Sequence, residues 1–141
     1  MKLEVAVRKR RGDFALDATF SVAGPGVLAL FGRSGCGKTT LVDLVAGLLE
    51  PDAGHVRLGE TTLVDIAAGI DLPAERRRIG YVFQDSRLFP HHDVEGNLRY
   101  GLRRAPRSQP RIDFAEVVAL LGLAPLLGRR PNRLSGGERQ R

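Results

Sequence analysis

Nine consecutive residues, Gly32-Arg33-Ser34-Gly35-Cys36-Gly37-Lys38-Thr39-Thr40, constrain this chain more than any others. They fit the pattern G-x-x-x-x-G-K-[ST], and the pattern carries a mechanism. Glycines let the backbone wrap closely around an anion, with successive N–H groups turned inward. A helix that starts at the lysine adds the positive end of its dipole. Lys38 supplies an ammonium for the β and γ phosphates of a nucleotide, and Thr39 a hydroxyl for Mg²⁺.

The flanks match that demand. Val27 to Phe31 is five apolar residues without alternation, which predicts a strand buried on both faces of a parallel sheet. Lys38 to Leu49 predicts a helix with Leu41, Leu44, Val45 and Leu48 on one face, ended by Pro51. Upstream, Leu3, Val5 and Val7 alternate with charged residues, and Phe14 to Val22 alternates again after the turn at Arg11-Gly12-Asp13. That spacing predicts a hairpin. Gly24-Pro25-Gly26 is a turn. His55 to Val64 reads as two short strands around Gly59, and Ile79 to Phe83 as a further buried strand. Residues 85–112 are rich in Arg, Pro and His and read as irregular or partly helical. Asp113 with Glu116 three residues on is a capping-box start. It leads to a helix whose apolar face is Val117, Leu120 and Leu121 and which Gly122 closes. Strands first, then alternating strands and helices, give an α/β fold.

The 141 residues suit one domain, and the 43% apolar fraction is enough for a core. The net charge is +6, but nineteen of the 22 basic residues are Arg, so Arg runs carry little information. The runs Arg8 to Arg11, Arg76 to Arg78 and Arg103-Arg104 are scattered and not interleaved with aromatics. They read as solvated surface, and no direct nucleic-acid partner is expected. Against that bias Lys38, one of three lysines, stands out. Cys36 is the single cysteine, which excludes an intrachain disulfide and a cysteine-based zinc cluster. It reads as a small residue at a variable loop position rather than a redox switch. His91-His92 has no third ligand at a metal spacing and reads as surface. The N-terminus lacks a signal-peptide run. The longest apolar stretch, Val117 to Leu127, is short and broken by Gly122 and Pro125. A cytoplasmic chain that reaches a membrane only through a partner is the expectation.

The last residues, Leu134-Ser135-Gly136-Gly137-Glu138-Arg139-Gln140-Arg141, hold a second S-x-x-E capping box after an apolar anchor, Leu134. A hydroxyl, two residues without side chains and a helix dipole suit an anion. Taken alone this is an ordinary helix start, like the one at Asp113. Together with the first motif it resembles the ABC-type ATPases, and the resemblance runs over the whole chain. A GTPase or small-molecule kinase would share the first motif but leaves LSGGE unexplained.

The resemblance implies an incomplete P-loop NTPase fold of ABC type: an N-terminal β subdomain, a partial RecA-like core and a partial helical subdomain. It implies a P-loop at 32–40, a Q-loop near 84 and a signature motif at 134–138, with ATP and Mg²⁺ as cofactors. Ser135, Gly136 and Gly137 would meet the γ-phosphate held by a second ATP-binding subunit in a head-to-tail dimer. Gln84 would help hold Mg²⁺ and the attacking water, beside Lys38 as the catalytic cation. The segment after Gln84 would contact membrane permease subunits, with Leu88, Phe89 and Pro90 as an apolar knob. The stretch from Gly80 to Gly101 looks most like the ATP-binding subunits of molybdate importers. Sulfate, iron and polyamine importers and a nucleic-acid-associated ABC ATPase are the alternatives. The implied place is the cytoplasmic face of the inner membrane, as a peripheral subunit.

Two departures from the family pattern stand out. The aromatic that stacks on adenine aligns near Arg10 or Arg11, so Phe14 or an arginine plane takes that part. No apolar run ending in Asp-Glu, no switch His and no C-terminal regulatory domain falls within residues 1–141. A chain cut inside its domain, and inactive alone as an ATPase, is therefore expected.

Overall fold

The computed structural model describes residues 2–104 and 113–141. Residues 105–112, part of the stretch read as irregular, lie outside the described residues. The chain forms two compact units, Met1–Tyr81 and Val82–Arg141, each with its own core.

The first unit starts with the expected hairpin. Strands β1 (Lys2–Arg11) and β2 (Phe14–Ala23) pair from Lys2↔Ala23 to Arg11↔Phe14. Gly12, at φ 59, takes the first of the two loop positions, which suits a tight hairpin. Strands β3 (Ala53–Leu58), β4 (Thr61–Asp65) and β5 (Ile70–Asp71) complete an antiparallel sheet of order β2-β1-β3-β4-β5. The two short strands around Gly59 are thus β3 and β4. A bulge between Val56 and Arg57 skips Leu63, so Leu63 and Val64 are both buried instead of alternating. At Gly54, φ 103, a Cβ would lie 1.9 Å from the Ala6 carbonyl oxygen across the sheet, so only glycine fits there.

One face of this sheet is covered by helix α1 (Lys38–Ala46). Val5, Val7, Val56, Leu63 and Val64 form one core with Leu41 and Leu44 of the helix. Each such side chain, taken out of water, contributes about 1.5–3 kcal/mol. The helix ends at Ala46, three residues before the expected end at Leu49, with Gly47 at φ 79 as its cap, and Leu48 is exposed, off the predicted face. Glycine in the left-handed region stops a helix before a downstream proline can.

Neither predicted buried strand forms. Val27 to Phe31 forms no ladder, and Val27 and Phe31 are 100% and 92% exposed. Ile79 to Phe83 is likewise unpaired, with Val82 95% exposed. An apolar run marks a segment fit for burial, but a strand exists only where a neighbour accepts its hydrogen bonds. Every ladder among the described residues is antiparallel, and none reaches these segments.

The second unit is helical: α2 (Val94–Arg104), α3 (Phe114–Leu120) and α4 (Gly136–Gln140), with single 3₁₀ turns at Ala124–Leu126 and Pro131–Arg133. The backbone carbonyls of Arg129 and Leu127 accept from the N–H groups of Val94 and Glu95, and so cap α2. Asp113 caps α3 as expected, its carboxylate accepting from the Ala115 N–H at 2.7 Å, one turn position short of the expected box with Glu116. The face that α3 buries differs from the prediction. Val118 is buried, while Leu120 is 83% exposed. Phe114 and Val118, one turn apart, pack with Leu123 and Leu126 of the following turn, and Gly122, φ 62, reverses the chain between them.

Candidate functional site

The P-loop is built as its residue types require. Gly35 and Gly37 lie at φ 80 and 96, in the left-handed region. The Cys36 N–H donates to the Arg33 carbonyl at 3.3 Å, closing the turn. A Cβ on Gly32 would stand 2.6 Å from the Cys36 sulfur, so the loop folds tightly back on itself. Gly32 to Cys36 are all exposed.

Lys38, the first residue of α1, curls over this loop. Its Nζ donates to the carbonyls of Gly32 at 2.8 Å and Arg33 at 2.9 Å, and lies 3.6 Å from the Cys36 sulfur. The ammonium therefore stands at the loop and not out in solvent. No side chain caps α1 at Gly37, and its first turn carries no acidic residue. The N–H groups of a first turn have no intrahelical partner, so an uncapped, acid-free N-terminus suits an anion. Thr39 is exposed and Thr40 half-buried. An ammonium held at the loop, close-folded glycines, an open helix N-terminus and an exposed hydroxyl form a donor set that fits a polyphosphate with its Mg²⁺.

Two contacts that sequence reasoning missed hold α1 from behind. Arg77 was read as part of a solvated run, yet its side chain is 1% exposed. Its guanidinium donates to the carbonyls of Leu44 (2.8 Å) and Val45 (3.0 Å) in the last turn of α1. It also donates to the Leu72 carbonyl (2.7 Å) and to Asp71 Oδ1 (2.8 Å). A cation on the final carbonyls opposes the negative end of the helix. The Tyr81 hydroxyl donates to Asp43 Oδ1 on the same helix at 2.7 Å. Ile79, two residues after Arg77, packs on the core of the same unit. Of the other basic run, Lys9 pairs with Asp52 at 2.6 Å. Phe14, the aromatic candidate, packs its ring against Gly37.

The second unit holds the remaining candidates. Gln84 is exposed in a bend. Leu134 is buried, as its reading as an anchor requires. Ser135, Gly136 and Gly137 are exposed and start α4 with a complete capping box. The Ser135 N–H donates to Glu138 Oε2 at 2.7 Å, and the Glu138 N–H to Ser135 Oγ at 3.2 Å. The Ser135 N–H foremost, and then the Ser135 side chain, hold the Glu138 carboxyl below its ordinary range. Of the three residues read as an apolar knob, Leu88 is half-buried against the core of this unit, while Phe89 and Pro90 are exposed. With Phe89, Leu98, Leu126 and Leu134, Leu88 lines a cavity of about 210 Å³. His91 is exposed, and among the described residues no group of three His, Cys, Asp or Glu side chains could hold a metal. No helix of the described residues is long and apolar enough to cross a membrane.

Residues 16–141 match the ABC transporter family, so the chain belongs to that family. It is 52% identical to the molybdenum import ATP-binding protein ModC of Paramagnetospirillum magneticum over 99% of this chain and 38% of that one. It is 53% identical to the ModC of Mesorhizobium japonicum over 100% of this chain and 38% of the relative. The figures for the ModC of Brucella melitensis are 55%, 99% and 38%. The chain thus spans well under half the length of the curated relatives it matches. Among solved structures, one described as the structure of an ATP binding subunit of an ABC transporter superposes with a TM-score of 0.76 at 25% identity. That match covers 99% of this chain and 58% of that one.

Proposed function

We propose that the chain is part of the nucleotide-binding domain of an ABC importer's ATP-binding subunit, and that the importer takes up an oxyanion, molybdate. The observation that carries the nucleotide reading is the Lys38 ammonium bound to the Gly32 and Arg33 carbonyls over an uncapped helix N-terminus. The molybdate reading rests on the ModC relatives, each about half identical to this chain.

In this reading the backbone N–H groups of residues 32–40 take the phosphates of ATP. Lys38 exchanges two carbonyls for the β and γ oxygens. Thr39 and Gln84 hold Mg²⁺, which when bound neutralises charge on the γ-phosphate. Gln84 also orients the attacking water: its amide both donates and accepts without adding charge. Ser135, Gly136 and Gly137 serve the γ-phosphate of a second subunit in a head-to-tail dimer. The segment after Gln84 meets the permease, which makes the subunit peripheral at the cytoplasmic face of the inner membrane. None of the 141 residues forms an apolar run ending in Asp-Glu, so this chain alone binds nucleotide without turnover.

The test is binding of a fluorescent ATP analogue with Mg²⁺ to the purified chain. Saturable binding lost on Lys38→Ala supports the reading. Absence of binding, or turnover that Lys38→Ala abolishes, contradicts its nucleotide part or its catalytic part respectively. Molybdate uptake restored by the whole gene in a strain lacking its own importer ATPase tests the substrate; uptake of sulfate alone overturns it.

A further inference from the structure

Within the helical unit one side chain gathers the loop at residues 89–93. Asn97, in the first turn of α2, meets both backbone groups of Phe89. Its Oδ1 accepts from the Phe89 N–H at 2.7 Å, and its Nδ2 donates to the Phe89 carbonyl at 3.2 Å. An amide carries a donor and an acceptor side by side, so Asn97 serves Phe89 as a neighbouring strand would. The same Nδ2 reaches the carbonyls of Asp93 at 2.9 Å and His92 at 3.4 Å. The Asp93 carboxylate accepts from the Gly96 N–H at 2.7 Å, which ties the end of the loop to the start of α2. The loop is thus folded around one amide.

What the loop presents is aromatic. The Phe89 ring centroid lies 4.4 Å from that of Tyr100 on α2, and 5.8 and 6.0 Å from those of His91 and His92. Phe89 and His91 are exposed. The Arg104 guanidinium stands 3.6 Å over the Tyr100 ring. Among the described residues no carboxylate pairs with it. An exposed ring beside such an arginine suits an apolar side chain with an acidic neighbour.

We infer that Asn97 is the positioning residue of the surface that meets the permease: by bonding both backbone groups of Phe89, it sets that ring in place before the partner arrives. This deepens the permease reading above and rests on it. The occupant is a permease segment that lays an apolar side chain on Phe89 and a carboxylate beside Arg104. An aromatic on a free loop would lose its freedom on docking, and that loss weakens binding. Asn97 removes the loss in advance. Aromatic anchors already in place are the residues that dominate such contacts.

The experiment measures binding of the whole-gene product to membranes that hold the molybdate permease of the strain used for uptake. Binding of a fluorescent ATP analogue to the same proteins is the control. The proteins are the unaltered form, Asn97→Ala, Phe89→Ala and the variant with both changes. Each single change should lower affinity for the permease about tenfold, the loss of one aromatic anchor, and leave nucleotide affinity unchanged. The double variant should bind as Phe89→Ala does, because Asn97 acts through that ring. Hydrogen exchange of the Phe89 amide should be slow in the unaltered protein and fast in Asn97→Ala. Full permease binding by either single variant overturns the inference, and so does a double variant weakened by both losses summed. An Asn97→Ala protein that melts early or no longer binds nucleotide also overturns it, since Asn97 is then a structural residue. Failure of the unaltered protein to bind the permease overturns the permease reading and the inference with it, while the nucleotide reading stands on its own control.

Discussion

The ring of Phe14 occupies the space that a side chain on Gly37 would need: its Cζ lies 2.6 Å from where a Cβ would stand. The hairpin end and the N-cap of α1 are therefore fitted to each other, and glycine at 37 is required twice over. Its φ of 96 disfavours any other residue, and Phe14 excludes one.

Gly37→Ala is predicted to cost about 1–3 kcal/mol for the backbone conformation alone, before the collision is counted. Phe14→Leu removes the ring atom that collides. The double variant should then be less destabilised than the two single changes summed, with a coupling of about 0.5–3 kcal/mol. Urea unfolding of the four proteins measures it. Simple additivity would mean that the ring yields to the new methyl group.

Lys38→Ala should separate binding from folding. The two carbonyl bonds are exposed, so unfolding should change by no more than about 0.5 kcal/mol. Loss of an ammonium from a phosphate is worth about 1.5–3 kcal/mol, so nucleotide affinity should fall roughly tenfold to a hundredfold. Calorimetric titration and a thermal melt on the same sample check both halves. A large loss of melting temperature would assign Lys38 a structural part instead.

The capping box of α4 carries a pH dependence. Glu138 is held below its ordinary value of 4.5 by the Ser135 N–H first, then by the Ser135 side chain, with Arg129 and Arg141 adding attraction. A carboxyl depressed in the folded state stabilises that state above its unfolded pKa, and the effect fades as pH falls through the lower folded value. The Ser135 amide resonance should therefore titrate with a midpoint below the ordinary carboxyl value of 4.5. In Glu138→Gln the acceptor remains and the box persists, but this titration vanishes. An acid transition of Ser135 that survives in Glu138→Gln would place its origin elsewhere.

Local features were legible in the sequence, and partner-dependent ones were not. The P-loop, the hairpin and the cap at Ser135 follow from residues adjacent in the chain, so the order of side chains was enough to read them. Val27 to Phe31 was misread because its five apolar side chains state a preference for burial and say nothing about who pairs with it. Arg77 was misread for the opposite reason. A run of three arginines looks solvated, and only the fold shows that the middle one meets open helix carbonyls. Of the expected knob, Leu88 turns inward while Phe89 and Pro90 stay exposed, a division that three apolar letters in a row do not reveal. Arg77 and Tyr81 are both polar groups with partners on α1, and nothing in the order of the letters around them announces it.

Arg77 makes the strongest stability prediction. Removing its side chain strips four hydrogen bonds at once and leaves the Leu44, Val45 and Leu72 carbonyls with one donor fewer. Arg77→Ala should cost about 2–4 kcal/mol, the range for losing charged, buried hydrogen bonds, after allowing for Asp71 staying half exposed. Arg77→Lys places a cation at the helix end but has no planar fork to reach Leu72 and Asp71 together, so it should recover only part. The same guanidinium explains Gly47, where a Cβ would sit 2.5 Å from Arg77 Nε. Gly47→Ala should therefore be destabilising in the unaltered chain and less so in Arg77→Ala, where only the φ of 79 still opposes it. Urea unfolding of this second cycle, with hydrogen exchange of the amides in the last turn of α1, distinguishes a cap from a mere filler. Faster exchange confined to that turn in Arg77→Ala marks the cap, and unchanged exchange there contradicts it.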